Sequence, residues 1–235
     1  MIARIAPRPL CAVLWLGLAA SLLLALASGT IEMSLGQSLR AVYDTLFAES
    51  AGQAAIIVGQ IRLPRALLAA AVGAILAMSG AAMQGLFRNP LADPSLIGVT
   101  AGASLGASLA IVGAGGMAAS VLGLTLVTVG AFIGGLLAVL LVYRLATGPA
   151  GTSVATMLLA GIAISALAGA VGNILEFFAS NEMLRRISLW HMGGLEGANG
   201  ERVLIAFVVG LLVWLSLPRF ANDLNAMLLG ESEAR

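Results

Sequence analysis

The chain has 235 residues, of which 60% are hydrophobic and only 10% charged, with a mean hydropathy of +1.04. An ordinary soluble domain carries about a quarter charged residues. There is too little polar surface here to coat a globule in water, so the composition specifies a polytopic all-α membrane protein. A net charge of +1 without a basic run argues against a nucleic-acid partner. Cys11 is the single cysteine, which excludes an intrachain disulfide, and His191 is the single histidine, which leaves no His/Cys metal site within one chain. All twelve basic residues are arginine.

The N-terminus carries Arg4 and Arg8, an apolar run and "ALASG", a pattern shared with cleavable signal peptides. The run from Leu10 to Ala27 is as long as a membrane span, and further spans follow, so an uncleaved first helix is expected. Six apolar segments are read in all, at about 10–29, 66–86, 96–113, 120–143, 154–177 and 203–217. The third and sixth are the shortest. The linker 30–60, with Glu32, Arg40, Asp44 and Glu49, has room for a short amphipathic helix at the membrane surface. "RNPLADP" at 88–94 places two prolines within five residues, which requires a helix break, and Asn89 and Asp93 are suited to cap helix ends there. "ATGPAGTS" at 146–153 reads as a Gly/Pro loop, and 178–202 is the most polar internal stretch.

Arg4 and Arg8 before the first span favour a cytoplasmic N-terminus. Counting six spans from there puts six arginines inside and six outside, among the latter Arg62 and Arg65. The arginine distribution therefore does not reinforce the orientation. Either the first helix alone sets it, or the outer arginines have another use.

Small residues are placed for close helix packing. Gly102 and Gly106 are four apart, as are Gly130 and Gly134, the spacing that lets backbones approach in lipid. In the fifth segment Gly161, Ser165, Gly169 and Asn173 recur every four residues, with Glu176 three further on. Two readings stay open for this stripe: a helix–helix packing face, or the wall of a water-accessible path with Glu176 near its mouth. No G-x-x-x-x-G-K-[ST] occurs, so the chain has no nucleotide site of that kind and is not expected to be an enzyme.

Residues 62–107 carry "RLPR", then "SGAAMQGLFRNPLADP", then "IGVTAGA", in an order and spacing that closely resemble the FecCD/BtuC family of ABC-importer permeases. "LLAGIAISAL" at 158–167, "LWHMGGL" at 189–195 and "LLGESEAR" at 228–235 extend the resemblance over nearly everything after the first helix. The resemblance implies an all-α permease domain spanning 1–235, with about six of the family's ten or so transmembrane helices. By the same comparison it is incomplete, ending at the start of the cytoplasmic coupling helices. It implies a bacterial inner-membrane location and import of an iron chelate, either haem or a ferric siderophore, with cobalamin as the alternative cargo. Its implied partners are a second permease subunit, most simply as a homodimer, cytoplasmic ATPase subunits, a periplasmic substrate-binding protein and membrane lipid. No cofactor is implied.

Residue by residue, the resemblance gives Arg62 and Arg65 to binding-protein docking, where a planar guanidinium suits carboxylates. It gives Gly161, Ser165, Gly169 and Asn173 to the translocation path, Thr152 and Ser153 to the cytoplasmic gate, and Gly230, Glu231 and Ala234 to ATPase coupling. "RNPLADP" is taken as structural. His191 is not expected to ligate haem, because a permease that passes cargo on gains nothing from a tight axial bond. Two rival classes remain. A stand-alone secondary transporter would need a midplane carboxylate, whereas Glu176, the only acid within a span, lies near an end. The other rival is a truncated remnant that does not transport.

Overall fold

A computed structural model describes residues 7–47, 52–115, 121–149 and 151–229. The described chain is helical apart from turns and one two-residue hairpin. Among the described residues five helical stretches are long and apolar enough to cross a membrane: Arg8–Ala27, Gln53–Phe87, Leu122–Ala146, Val154–Phe178 and Gly200–Ala226. A sixth apolar helix, Val99–Ala114, has 16 residues and falls short of that length. The six apolar segments read from the sequence thus become five spanning helices and one shorter one.

In chain order the elements are α1 (Pro7–Ala27), α2 (Leu35–Phe47), α3 (Gln53–Ile57), α4 (Leu63–Phe87), α5 (Val99–Ala114), α6 (Val121–Ala146), β1 (Thr147–Gly148), β2 (Gly151–Thr152), α7 (Val154–Phe178), α8 (Asn181–Met192), α9 (Gly200–Ser216) and α10 (Ala221–Leu229). A π-helical turn, Val58–Arg62, joins α3 to α4, and a 3-10 turn, Leu217–Phe220, joins α9 to α10. The chain divides into two compact units, residues 1–76 with 195–215 and residues 77–194 with 216–235.

In the first unit the linker does contain an amphipathic helix, α2. It starts with a reciprocal cap: the Ser34 N–H donates to Gln37 Oε1 (2.9 Å) and the Gln37 N–H donates to Ser34 Oγ (3.2 Å). Leu26, Ala41 and Val58 form the buried cluster that ties α1, α2 and the π turn together, with Met33, Val42 and Leu63 against it. Thr45 Oγ1 donates to the carbonyls of Ala41 (2.7 Å) and Ala55 (3.0 Å), and the Thr45 side chain, its Cγ2 nearest, takes the space that a Cβ on Gly59 would need.

The second expected span begins earlier than the sequence suggested. Pro64 does not open the helix but lies inside it, because the ladder is already in π register where the proline arrives. The Leu63 N–H donates to the Val58 carbonyl, five residues back. Proline's missing N–H and its ring would disrupt an i−4 ladder, and the wider π turn relaxes both constraints.

In the second unit the dominant joint is α5 against α6. A Cβ on Gly102 would lie 2.5 Å from Ala138 Cβ, and one on Gly106 would overlap the Gly130 carbonyl. Gly130 and Gly134 meet the Gly106 and Gly102 carbonyls in the same way. The four-residue glycine spacing thus forms a backbone-to-backbone seam, as expected for helices in lipid.

"RNPLADP" ends α4. Arg88 takes a left-handed φ of 50°, Asn89 Oδ1 accepts from the Leu91 N–H (2.9 Å), and Asp93 Oδ1 accepts from the Ser95 N–H (2.8 Å). Asp93 thereby caps the 3-10 turn Pro94–Ile97. The Ser95 hydroxyl first, then its N–H, hold the Asp93 carboxyl below its ordinary pKa. Ala92 of this loop is buried with Phe87, Val142, Ala146 and Met157, so the motif is part of the core.

Candidate functional site

The two arginines of "RLPR" differ in setting. Arg62 ends the π turn and is 8% exposed. Its Nη1 donates to the carbonyls of Leu26 (2.8 Å) and Ala27 (2.9 Å), and its Nη2 donates to the Ile31 carbonyl. These acceptors include the last carbonyls of α1, which have no partner within the helix and carry the negative end of its dipole. A planar fork with five donors can satisfy several of them at once. Gly29 makes room for it, since a Cβ there would lie 2.7 Å from Arg62 Nη2. Arg62 is therefore a buried cap on α1 rather than an exposed fork. Arg65, three residues on, is exposed and has no hydrogen bond or ion pair among the described residues.

The stripe on α7 divides similarly. Gly161 is buried beneath the Pro94–Ile97 turn: a Cβ on it would overlap the Leu96 carbonyl and lie 2.9 Å from Ile97 Cα. Its small size is used for packing. Ser165, Gly169 and Asn173 instead line a cavity of about 110 Å³ together with Glu176. Ser104 and Ser108 face it from α5, and His191 from α8. Ser108 is 3% exposed, and its hydroxyl has no hydrogen-bond partner among the described residues. The side chains of Ser104, Ser165, Asn173, Glu176 and His191 are likewise without a hydrogen-bond partner among the described residues. No fully buried side-chain oxygen or nitrogen lacks a partner among the described residues, so these groups open onto the cavity, and the polar wall is suited to water or to a polar group of a solute. The cavity favours the path reading for Ser165, Gly169 and Asn173, and the packing reading for Gly161.

Ser104 and Ser108 were not singled out from the sequence. They sit four apart among alanines and glycines, a pattern that equally describes a packing face. Helix α8 places His191 at the cavity. It is N-capped by Ser180, whose Oγ accepts from the Met183 N–H (3.4 Å), and Ile187 buries it against α5. Its polar surface carries the Arg186–Glu182 ion pair at 2.6 Å.

The loop before α7 closes as a small hairpin, with Thr147 opposite Thr152 and Gly148 opposite Gly151. The Thr147 and Thr152 hydroxyls are 3.0 Å apart, and Ser153 Oγ accepts from the Thr156 N–H (3.3 Å) as the N-cap of α7. The residues expected to gate thus sit at the base of the helix that lines the cavity. Gly230, Glu231 and Ala234, expected to couple to an ATPase, lie outside the described residues.

The model of the FecCD transport family matches residues 17–235. The chain belongs to that family. It is 40% identical over 232 residues to the hemin transport system permease protein HmuU of Yersinia pestis, covering 98% of this chain and 66% of the relative. It is 44% identical over 184 residues to the cobalamin import system permease protein BtuC of Halobacterium salinarum, covering 77% of this chain and 47% of that protein. The fold is similar to a solved structure described as a metal-chelate type ABC transporter in an inward-facing conformation. Its TM-score is 0.79 at 30% identity, over 97% of this chain and 67% of the other. The chain thus spans about two thirds or less of the length of the curated relatives it matches.

Proposed function

We propose that this FecCD-family chain acts as a transmembrane permease subunit of a binding-protein-dependent ABC importer of the bacterial inner membrane, and that its cargo is an iron chelate, haem before ferric siderophore. The observation that carries the reading is the 40% identity over 98% of the chain to a hemin transport permease. In this reading two copies flank a central path, ATP is hydrolysed on separate cytoplasmic subunits, and the N-terminus is cytoplasmic. Cobalamin is the second reading, supported by the 44% identity over 184 residues to a cobalamin permease.

The site residues take unequal roles in this scheme. Arg65 meets carboxylates of the docked binding protein, while Arg62 fixes the helix end from which Arg65 projects. Ser165, Gly169 and Asn173 line the path. Thr152 and Ser153 contribute to the gate, where a short hairpin can shift with α7. Gly230, Glu231 and Ala234 begin the contact with the ATPase.

Transport is tested by expressing the complete reading frame with its ATPase and binding protein in an uptake-deficient strain and offering radiolabelled haem, ferric siderophore and cobalamin. Accumulation of haem alone supports the first reading, cobalamin alone the second, and accumulation of none rejects both. Docking is tested by Arg65→Glu in nanodiscs. Affinity for the binding protein should fall on the order of tenfold or more, and wild-type affinity should weaken with salt. Unchanged affinity would remove Arg65 from the interface.

A further inference from the structure

A second cavity, of about 420 Å³, lies within the unit formed by residues 1–76 and 195–215. Arg62, Arg65, Ser28 and Thr30 supply its polar part, and Ala25, Ile57, Ile61, Ala66 and Ala69 supply apolar wall. Among the described residues that line it, none is acidic. The Ser28 and Thr30 hydroxyls, like the Arg65 guanidinium, have no hydrogen-bond partner among the described residues. Arg62 adds positive charge at depth, and its three hydrogen bonds to carbonyls leave donors uncommitted.

The order of these groups from the end of the π turn into α4 matters. Arg62, Arg65, Ala66 and Ala69 fall at i, i+3, i+4 and i+7, one face of the helix. Over roughly 10 Å of rise the lining passes from two guanidinium groups to bare methyl surface. The charged end stands where α1 stops, at Ala27, which is where an apolar span reaches the interfacial region. Ile31 and Ile61, at the rim, are 51% and 49% exposed. A cationic, hydroxyl-bearing end at the interface, continuous with an apolar wall running towards the hydrocarbon, matches an amphiphile with an anionic head. A free phosphate would use the arginines and leave the wall uncovered.

We propose that this cavity is a binding site for an anionic phospholipid taken from the surrounding bilayer. Its phosphate sits between Arg65 and the Ser28 and Thr30 hydroxyls, with Arg62 behind, and the start of an acyl chain lies over Ala66 and Ala69. Lipid phosphates favour basic pockets between helices, and arginine matches phosphate geometry. The site requires membrane residence but not any particular cargo. Because Arg65 is also the residue proposed to dock a binding protein, the test is made with no binding protein present, so that the two readings fail separately.

The full chain, purified in a non-ionic detergent, is titrated with phosphatidylglycerol and with phosphatidylcholine, and bound lipid is counted by native mass spectrometry. Phosphatidylglycerol should be retained over phosphatidylcholine by roughly fivefold, the factor expected for one arginine near an anionic lipid surface. Arg65→Gln, a change at an exposed position, should abolish that preference. Ala69→Phe, which covers the apolar wall but keeps both arginines, should lower retention of phosphatidylglycerol. Inorganic phosphate at equal concentration should not displace the lipid. Equal retention of the two lipids, or an unchanged preference in Arg65→Gln, means annular lipid only and overturns the proposal. Displacement by inorganic phosphate, or no effect of Ala69→Phe, makes the cavity a simple anion site and overturns the lipid assignment.

Discussion

The joint between α1 and the start of α4 and the seam between α5 and α6 solve the same problem by opposite means. Helices in lipid gain nothing from burying apolar surface against one another, so something else must fasten them. At the first joint a single long polar side chain, Arg62, reaches the carbonyls of Leu26, Ala27 and Ile31. At the second the contact is backbone on backbone: Gly102, Gly106, Gly130 and Gly134 bring two backbones so close that no side chain fits between them. The first fastening is specific to one guanidinium and its geometry. The second is distributed along two helices and depends on atoms that are absent. A polar joint is suited to a helix end, where carbonyls lack partners; a glycine seam is suited to a helix middle, where every backbone group is already paired.

The seam should be the more fragile to substitution. Gly106→Leu places a branched side chain where even a Cβ would overlap the Gly130 carbonyl. We expect a loss on the order of 3 kcal/mol or more, with failure to fold as the extreme. Gly106→Ala should be milder, and thermal unfolding in detergent of both variants reads the gradation. A Gly106→Leu protein melting with the wild type would mean that the seam does not hold this unit together.

Removing the arginine comes next. Arg62→Ala deletes charge-assisted hydrogen bonds to helix-end carbonyls, and we expect a cost of about 2–4 kcal/mol, limited by access of interfacial water to those carbonyls. Arg62→Lys should recover only part of this, because an ammonium cannot fork across three acceptors. Amide hydrogen exchange over the last turn of α1 is the direct readout: protection should fall in Arg62→Ala and return partly in Arg62→Lys. Equal protection in Arg62→Ala and wild type would show that the cap is dispensable.

The smallest effect concerns Asp93. Its carboxyl is held below the ordinary 3.8 by the Ser95 hydroxyl and N–H. A depressed folded-state pKa means that the ionised form favours the fold. That contribution is present above the unfolded value and is lost as pH falls through the lower, folded one. An NMR titration of the Asp93 carboxyl should therefore show a midpoint below 3.8, and the Ser95 amide resonance should follow it. A midpoint at or above 3.8 would remove the cap from the account, as would an Ser95 amide that does not move.

The candidate site was legible in parts. The four-residue repeat brought Ser165, Gly169 and Asn173 to one cavity because a helix fixes which residues share a face. The same repeat included Gly161, which the Pro94–Ile97 turn covers. No periodicity reveals what a loop from between α4 and α5 will lie against. The second apolar segment, read as about 66–86, is the apolar part of a longer helical stretch: a π turn, held by its contacts with α1 and α2, carries the helix in from Gln53. The Ser34/Gln37 cap, by contrast, had a local signature of one polar residue three places before another and was open to reading.

The sequence by itself determined the solvent, the helical class, the placement of six apolar segments, the glycine spacing of the α5–α6 seam and the family. Those properties depend on composition, on period and on contiguous motifs. Tertiary structure decided that Arg62 is buried and Arg65 free, that Gly161 packs while its neighbours on the stripe line a cavity, and that Ser104, Ser108 and His191 join them. The physical reason is the same in each case. A residue's type fixes the interactions it is capable of making, but which one it makes depends on what another part of the chain places within about 3 Å of it.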